Sequence, residues 1–189
     1  GRYTGYTLYV NEDYANIKGF EITVDVRPNK YFSGGLTYTY SVAKGSASSE
    51  TEQYPGTDES TQLYYLDFDR PHVFNASGTY TIPKDEGPEV FGSTIFDDMD
   101  FSLIFKASSG APYTPSGRDI GFVDKNSLRE PSLYNFDLMI GKEIEFTENL
   151  RLRLFAEILN LTDHRNILYV YGDTGDPDYT TVGGYSTEY

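Results

Sequence analysis

The chain has 189 residues and carries 15 Lys plus Arg against 29 Asp plus Glu, a formal net charge of −14. That length fits one domain or two small ones, and the acidity argues against wrapping nucleic acid, where affinity comes largely from neutralising phosphates. With no Cys, disulfide scaffolds, thiolate zinc sites and cysteine nucleophiles are excluded together.

Tyr and Phe are abundant, Trp is absent and Gly is frequent, a mixture that favours β-structure over helix. No stretch approaches the ~18 consecutive apolar residues of a membrane-spanning helix. The start, Gly1-Arg2-Tyr3-Thr4, shows no basic region followed by an apolar one, so no signal peptide is read there. Without an initial Met, the chain is expected to be an internal piece or a processed product.

A weak strand is predicted around Tyr3 to Val10. From Phe20 the pattern strengthens: Phe20, Ile22, Val24 and Val26 alternate with Glu21, Thr23, Asp25 and Arg27. Successive strand residues point to opposite faces, so this segment has one apolar and one polar face. Arg27-Pro28-Asn29-Lys30 reads as a tight turn. Leu36, Tyr38, Tyr40 and Val42 then oppose Thr37, Thr39 and Ser41. A long polar segment, Lys44 to Asp69, leads to Phe74, Ala76, Tyr80 and Ile82, which oppose Asn75, Ser77, Thr79 and Thr81. After an intermediate connection, Pro83 to Asp97, come Met99, Phe101, Leu103 and Phe105. A second long segment runs from Ser109 to Ser132. Tyr134, Phe136, Leu138, Ile140 and Ile144 follow, opposing Asn135, Asp137, Glu143 and Glu145. After Thr147-Glu148-Asn149, Leu150, Leu152, Leu154 and Ile158 oppose Arg151, Arg153 and Glu157. A weak strand is predicted from Asn166 to Tyr171.

These are about eight antiparallel up-and-down strands, many of roughly 9–13 residues, against ~5–6 for ordinary soluble strands and ~9–11 for strands that cross a bilayer at a tilt. In up-and-down order the tight turns share one end and the two long segments the other, the layout of an outer-membrane barrel. The early connection Asn11 to Ala15 is the exception, short although it belongs to the long-loop end. Alternation alone fits a β-sandwich, apolar face inward, as well as a membrane barrel, apolar face to lipid. Two details favour lipid. Glu21, Asp25, Arg151, Arg153 and Glu157 sit mid-strand on the polar faces, as suits pairing across a wet lumen. Aromatics near strand ends (Tyr3, Tyr31, Phe32, Phe68, Tyr134, Phe146, Tyr169, Tyr171) suit interfacial girdles.

Individual polar residues point to structure rather than catalysis. His72, in Asp69-Arg70-Pro71-His72, reads as a strand-end residue bonding a neighbouring loop, not a ligand or proton relay. Asp67, Asp69 and Arg70 read as a lumenal ion pair that fixes register, and His164 as part of a solvated turn. The groups Asp97, Asp98, Asp100 and Asp173, Asp176, Asp178 raise a calcium site but read as solvated carboxylates, the first at the short-turn rim and the second in an external loop. The sequons at Asn75 and Asn160 fall in or at the end of strands and are read as chance. No nucleophile elbow, phosphate-binding loop or dinucleotide fingerprint occurs. No catalytic, cofactor or metal residue is assigned, and no enzyme activity is expected.

Several segments are more specific in their order. They are Tyr9-Val10-Asn11, Tyr14-Ala15-Asn16-Ile17-Lys18-Gly19-Phe20-Glu21, Leu36-Thr37-Tyr38-Thr39-Tyr40-Ser41 and Phe68-Asp69-Arg70-Pro71-His72-Val73-Phe74-Asn75. Ser109-Gly110-Ala111-Pro112-Tyr113-Thr114-Pro115, Asn126-Ser127-Leu128-Arg129-Glu130-Pro131, Asn135-Phe136-Asp137-Leu138, Lys142 and Leu154-Phe155-Ala156-Glu157-Ile158-Leu159-Asn160-Leu161-Thr162-Asp163 follow. Over nearly the whole chain this set resembles the C-terminal part of the barrel of TonB-dependent outer-membrane receptors, the Oar-like members above all. The resemblance implies a plugged barrel of roughly 22 strands that binds and imports a scarce nutrient with energy relayed through TonB. Its partners would be outer-membrane lipid, the remainder of the receptor barrel and plug, and TonB. The chain would be one barrel segment, residues 1–189, without the plug domain and with the final strand missing.

Such a segment leaves open strand edges, which recruit other chains and are not tolerated in lipid. The rest of the receptor, or identical copies paired edge to edge, would satisfy them. Two alternatives therefore accompany the receptor reading: an extracellular fragment assembling into a multimer, tube or filament, and a soluble β-sandwich binding module.

Overall fold

The structure, a computed structural model, describes residues 14–48, 62–90, 92, 94–117, 121, 123–147 and 149–182. Its strands are β1 (Ala15–Val26), β2 (Phe32–Gly45), β3 (Tyr64–Tyr65), β4 (His72–Ile82), β5 (Met99–Ser108), β6 (Pro112–Tyr113), β7 (Leu128–Arg129), β8 (Leu133–Thr147) and β9 (Leu150–Ile158). All pairings are antiparallel, and the main sheet runs β1-β2-β4-β5-β8-β9, with β3 added to the end of β2. The fold is all-β, an up-and-down sheet that does not close on itself among the described residues. The long strands are the ones expected from the alternation. The early strand around Tyr3 to Val10 lies outside the described residues.

Each strand forms for a local reason. β-branched and aromatic residues fill the pleated surface, and the ladder keeps them in phase. Phe20 faces Tyr40, Ile22 faces Tyr38 and Val24 faces Leu36. Further across, Phe105 faces Phe136 and Leu103 faces Leu138. The other face runs Thr37–Asn75, Asn75–Lys106 and Lys106–Asn135 through four strands. Between β1 and β2, Asn29 builds the tight turn: its side-chain oxygen accepts the amides of Tyr31 and Phe32, each at 2.8 Å, while Pro28 removes a competing donor. A register shift between Glu145 and Thr147 marks a bulge at the turn into β9.

The two long connections share one rim with the segment after β9, and the turns share the other. Connection 83–98 is the longest on the turn rim and is tied flat across it. Lys30 pairs with Glu86 and Lys84 with Glu145, Lys142 Nζ reaches Asp97 Oδ1 at 2.7 Å, and the Glu143 amide donates to the Asp98 carbonyl at 2.9 Å.

The buried apolar residues, Ala43, Ala47, Leu66 and Val170, all belong to the long-loop end. The apolar face of the sheet is uncovered: Phe20 is 54% exposed, and Ile22, Val24, Leu103, Leu152 and Leu154 are exposed with it. A sandwich would place its core on that face; among the described residues no second sheet covers it.

Two expectations need correction. Residues 166–171 are coil, not a strand. The reason is Asn166, whose side-chain amide accepts the Tyr134 amide and donates to the Tyr134 carbonyl, both at 2.9 Å. One side chain thus fills the place on β8 that a continuing strand would take. His164 is not simply solvated either: it is half-buried, its ring stacked on Tyr134 with centroids 3.7 Å apart.

Candidate functional site

Three surfaces carry the polar and aromatic residues: an apolar outer face, a polar inner face, and a cap of long connections.

On the outer face, aromatic residues gather at both rims. Phe32, Tyr80 and Phe146 stand near the turn rim, all exposed. Near the opposite rim Phe20 contacts Tyr38 and Tyr40, and His72 joins them, stacked on Tyr38 with its Nδ1 2.8 Å from the Tyr38 hydroxyl. His72 also ties its backbone to the next loop, where its amide reaches Ser109 Oγ at 3.2 Å. It is therefore the expected strand-end residue and, in addition, a member of an aromatic belt. An amphipathic ring with a polar tip suits the headgroup level of a bilayer.

The inner face holds the mid-strand charges, and of these Arg151 and Arg153 are ion-paired near the turn rim. Arg153 meets Asp100 at 2.7 Å, and Arg151 meets Glu145 at 3.1 Å and Glu143 at 3.4 Å. Thr39 donates to Glu21 at 3.1 Å, and Thr79 and Ser102 share a 2.8 Å hydrogen bond across β4 and β5. Gly141 is required by this network: a Cβ there would lie 2.5 Å from Asp100 Oδ1. Two of the three acids grouped at this rim, Asp97 and Asp100, are thereby held by cations. Asp97 is held below the usual carboxylate range by the hydrogen bond from Lys142, and Asp100 by Arg153 contact is committed to the sheet. Glu86 is likewise lowered, first by the hydrogen bond from Lys30.

The cap is organised by Asp69, 2% exposed. Asp69 Oδ1 accepts the Ala43 amide at 2.5 Å, and Oδ2 pairs with Arg129. Arg129 also donates to the Asp69 carbonyl at 2.9 Å and lies over the Tyr65 ring at 4.9 Å. Asn126, buried with φ of 57°, donates to the Tyr65 carbonyl at 2.6 Å and to Asp67 at 2.7 Å. The expected Asp67–Asp69–Arg70 ion pair is thus corrected. Residues 66–69 form a turn, the Asp69 amide donating to the Leu66 carbonyl at 2.8 Å, and Asp67 and Asp69 find their partners about 60 residues on. Arg70 instead donates to the Ser109 carbonyl at 3.0 Å. Asn126 and Arg129 stand in a motif visible in the sequence, but nothing local marks them as partners of Asp67 and Asp69.

The second acidic group is a self-bonded loop. Asp173 Oδ2 accepts from Thr181 N at 2.5 Å, Thr181 Oγ1 at 2.7 Å and Thr180 Oγ1 at 3.0 Å, which lowers its pKa to about 2. Asp176 accepts the Asp178 amide at 2.8 Å. Among the described residues no group of three or more His, Asp or Glu is placed to hold a metal ion. Asn75 lies within β4, and Asn160, with φ of 51°, closes a turn onto His164 at 3.1 Å.

No helix among the described residues is long and apolar enough to cross a membrane. No curated protein and no solved structure gave a match. A family model described as "Outer membrane beta barrel domain" matches residues 2–120, more than half of the chain. The uncovered apolar face, the aromatic rims and the charge-paired inner face are what such a domain requires, and the chain belongs to the outer membrane beta barrel domain family.

Proposed function

We propose that the chain is a wall segment of a TonB-dependent outer-membrane receptor and serves the binding and import of a scarce nutrient in the parent protein. The observation that carries this reading is the separation of faces. An exposed apolar face with aromatic rims suits lipid, while the charge-paired opposite face suits a wet lumen. The ordered motif set named above supports the receptor class within the barrel family. No catalytic role is proposed.

The test is cellular. The protein should fractionate with the outer membrane and need detergent for extraction. Cells lacking it should show the same nutrient-limited growth defect as cells lacking TonB, and the two losses should not add. Recovery in the soluble fraction, or growth that is normal without the protein, overturns the proposal. Among the described residues the outer edges of β1 and β9 have no partner strand, which favours a second reading, assembly of identical copies by edge pairing. Electron microscopy of the secreted material tests it, and seeing no tubes, filaments or rings removes it.

A further inference from the structure

The charges of the inner face are not uniformly paired. Near the turn rim each of Arg151, Arg153 and Lys84 has a carboxylate partner. Towards the loop rim, Lys106 has no ion-pair partner among the described residues. It stands mid-sheet on β5, with Asn75 on β4 and Asn135 on β8 as its direct cross-strand neighbours. The nearest acid along β8 is Asp137, and its Oδ1 already accepts Asn135 Nδ2 at 2.7 Å and the Asn160 amide at 2.9 Å.

Lys106 opens into a cavity of about 300 Å³ bounded by Asn75, Asn135, Ser108, Asn166 and Arg70. Arg70 spends one N–H on the Ser109 carbonyl, and the carboxylate beside it is the partly buried Glu130. Its walls are mostly apolar, Val73 and Leu133 among them, and the Asn166 amide is spent on the Tyr134 backbone, so a ligand would meet the Lys106 ammonium, the Arg70 guanidinium and the side-chain amides of Asn75 and Asn135 as its polar contacts. A cavity of this size suits a small molecule, and charged donors bind carboxylate or phosphate oxygens more strongly than neutral ones do.

We propose that this cleft binds a small anion bearing a carboxylate or phosphate group, held between Lys106 and Arg70 and oriented by Asn75 and Asn135. The proposal rests on the inner face being open to water, as in the receptor reading, but not on the identity of the nutrient. In the parent barrel it would place an anion-selective subsite at the outer mouth of the lumen.

The test uses the full chain in uncharged detergent, with strand content by circular dichroism and heat-modifiable gel migration scored first, so that a failure to fold is seen separately from a failure to bind. Inorganic phosphate, succinate and uncharged succinamide are then titrated against the side-chain amide signals of Asn75 and Asn135. Phosphate or succinate should shift them saturably, at about millimolar concentration, and succinamide should not. The stronger of the two anions identifies the headgroup. Lys106→Gln should weaken binding about tenfold, and Lys106→Arg should retain it within about threefold, since the charge is kept. Lys84→Gln, at the opposite rim, should change nothing. No saturable shift with either anion, or a K106Q protein that binds as well as the wild type, overturns the proposal.

Discussion

Asp69 and Asp173 show two ways a carboxylate is satisfied in this molecule. The Asp69 side chain is out of solvent and held by a backbone amide and by Arg129. Removing one member of a buried pair leaves an uncompensated charge, so Arg129→Leu should cost about 3 kcal/mol of stability, read by denaturant unfolding in detergent. The 62–72 segment should also become protease-sensitive. Asp173 is half-buried, and hydrogen bonds from Thr181 and Thr180 lower its pKa to about 2. A depressed carboxylate stabilises the folded loop above its unfolded pKa of about 3.9, and that contribution fades as the pH falls towards 2. Carboxyl-carbon NMR should therefore show Asp173 titrating near pH 2, and Asp173→Asn should loosen the 172–182 loop clearly at pH 7 and much less at pH 2. Asp173 stood out in the sequence only as part of an acidic group; its partners are hydroxyls that acidic spacing does not reveal. His72 was legible as a strand-end residue, yet its seat among Tyr38 and Tyr40 needed the β2–β4 register.

At the scale of the strand, the two faces make opposite demands. Leu103, central on β5, faces outward between Gly78 and Leu138, and its neighbour Ser102 faces inward between Thr79 and Met139. A cation facing lipid near the bilayer midplane costs about 2–4 kcal/mol, whereas a lumenal one is tolerated. Leu103→Arg should lower unfolding free energy in vesicles by about 3 kcal/mol, and Ser102→Arg by less than about 1 kcal/mol. Equal losses would place both faces in the same environment. Gly141→Ala should break the Asp100–Arg153 pair without touching the outer face, because the new Cβ meets the carboxylate rather than lipid. The long strands were readable because each repeats its period over many residues. The short strands β3, β6 and β7 were not: two residues carry no period, and β6 and β7 pair only because their connection folds back on itself. The strand expected at 166–171 failed on a single side chain, Asn166, that substitutes for a ladder partner.

For the whole molecule, the ladder ends at β1 and β9 decide behaviour. Amides of β4 and β5 bond on both sides, whereas the outer edges of β1 and β9 have no partner strand among the described residues. In the isolated chain, deuterium exchange should protect β4 and β5 most and the outward amides of β1 and β9 least, with a difference of about tenfold or more. Uniform protection would mean that the edges are paired. The sequence by itself determined the long strands, which face of each is apolar and which polar, and the rim to which each connection belongs. It could do so because a period of two and the length of a segment are local properties. Only the tertiary structure decided which charges meet: Asp69 with Arg129, Asp100 with Arg153, and Lys106 with no carboxylate among the described residues. The Asp100–Arg153 pair depends on register between strands distant in sequence, and a shift of one residue would turn a member to the other face; the Asp69–Arg129 pair depends on how two connections distant in sequence pack together.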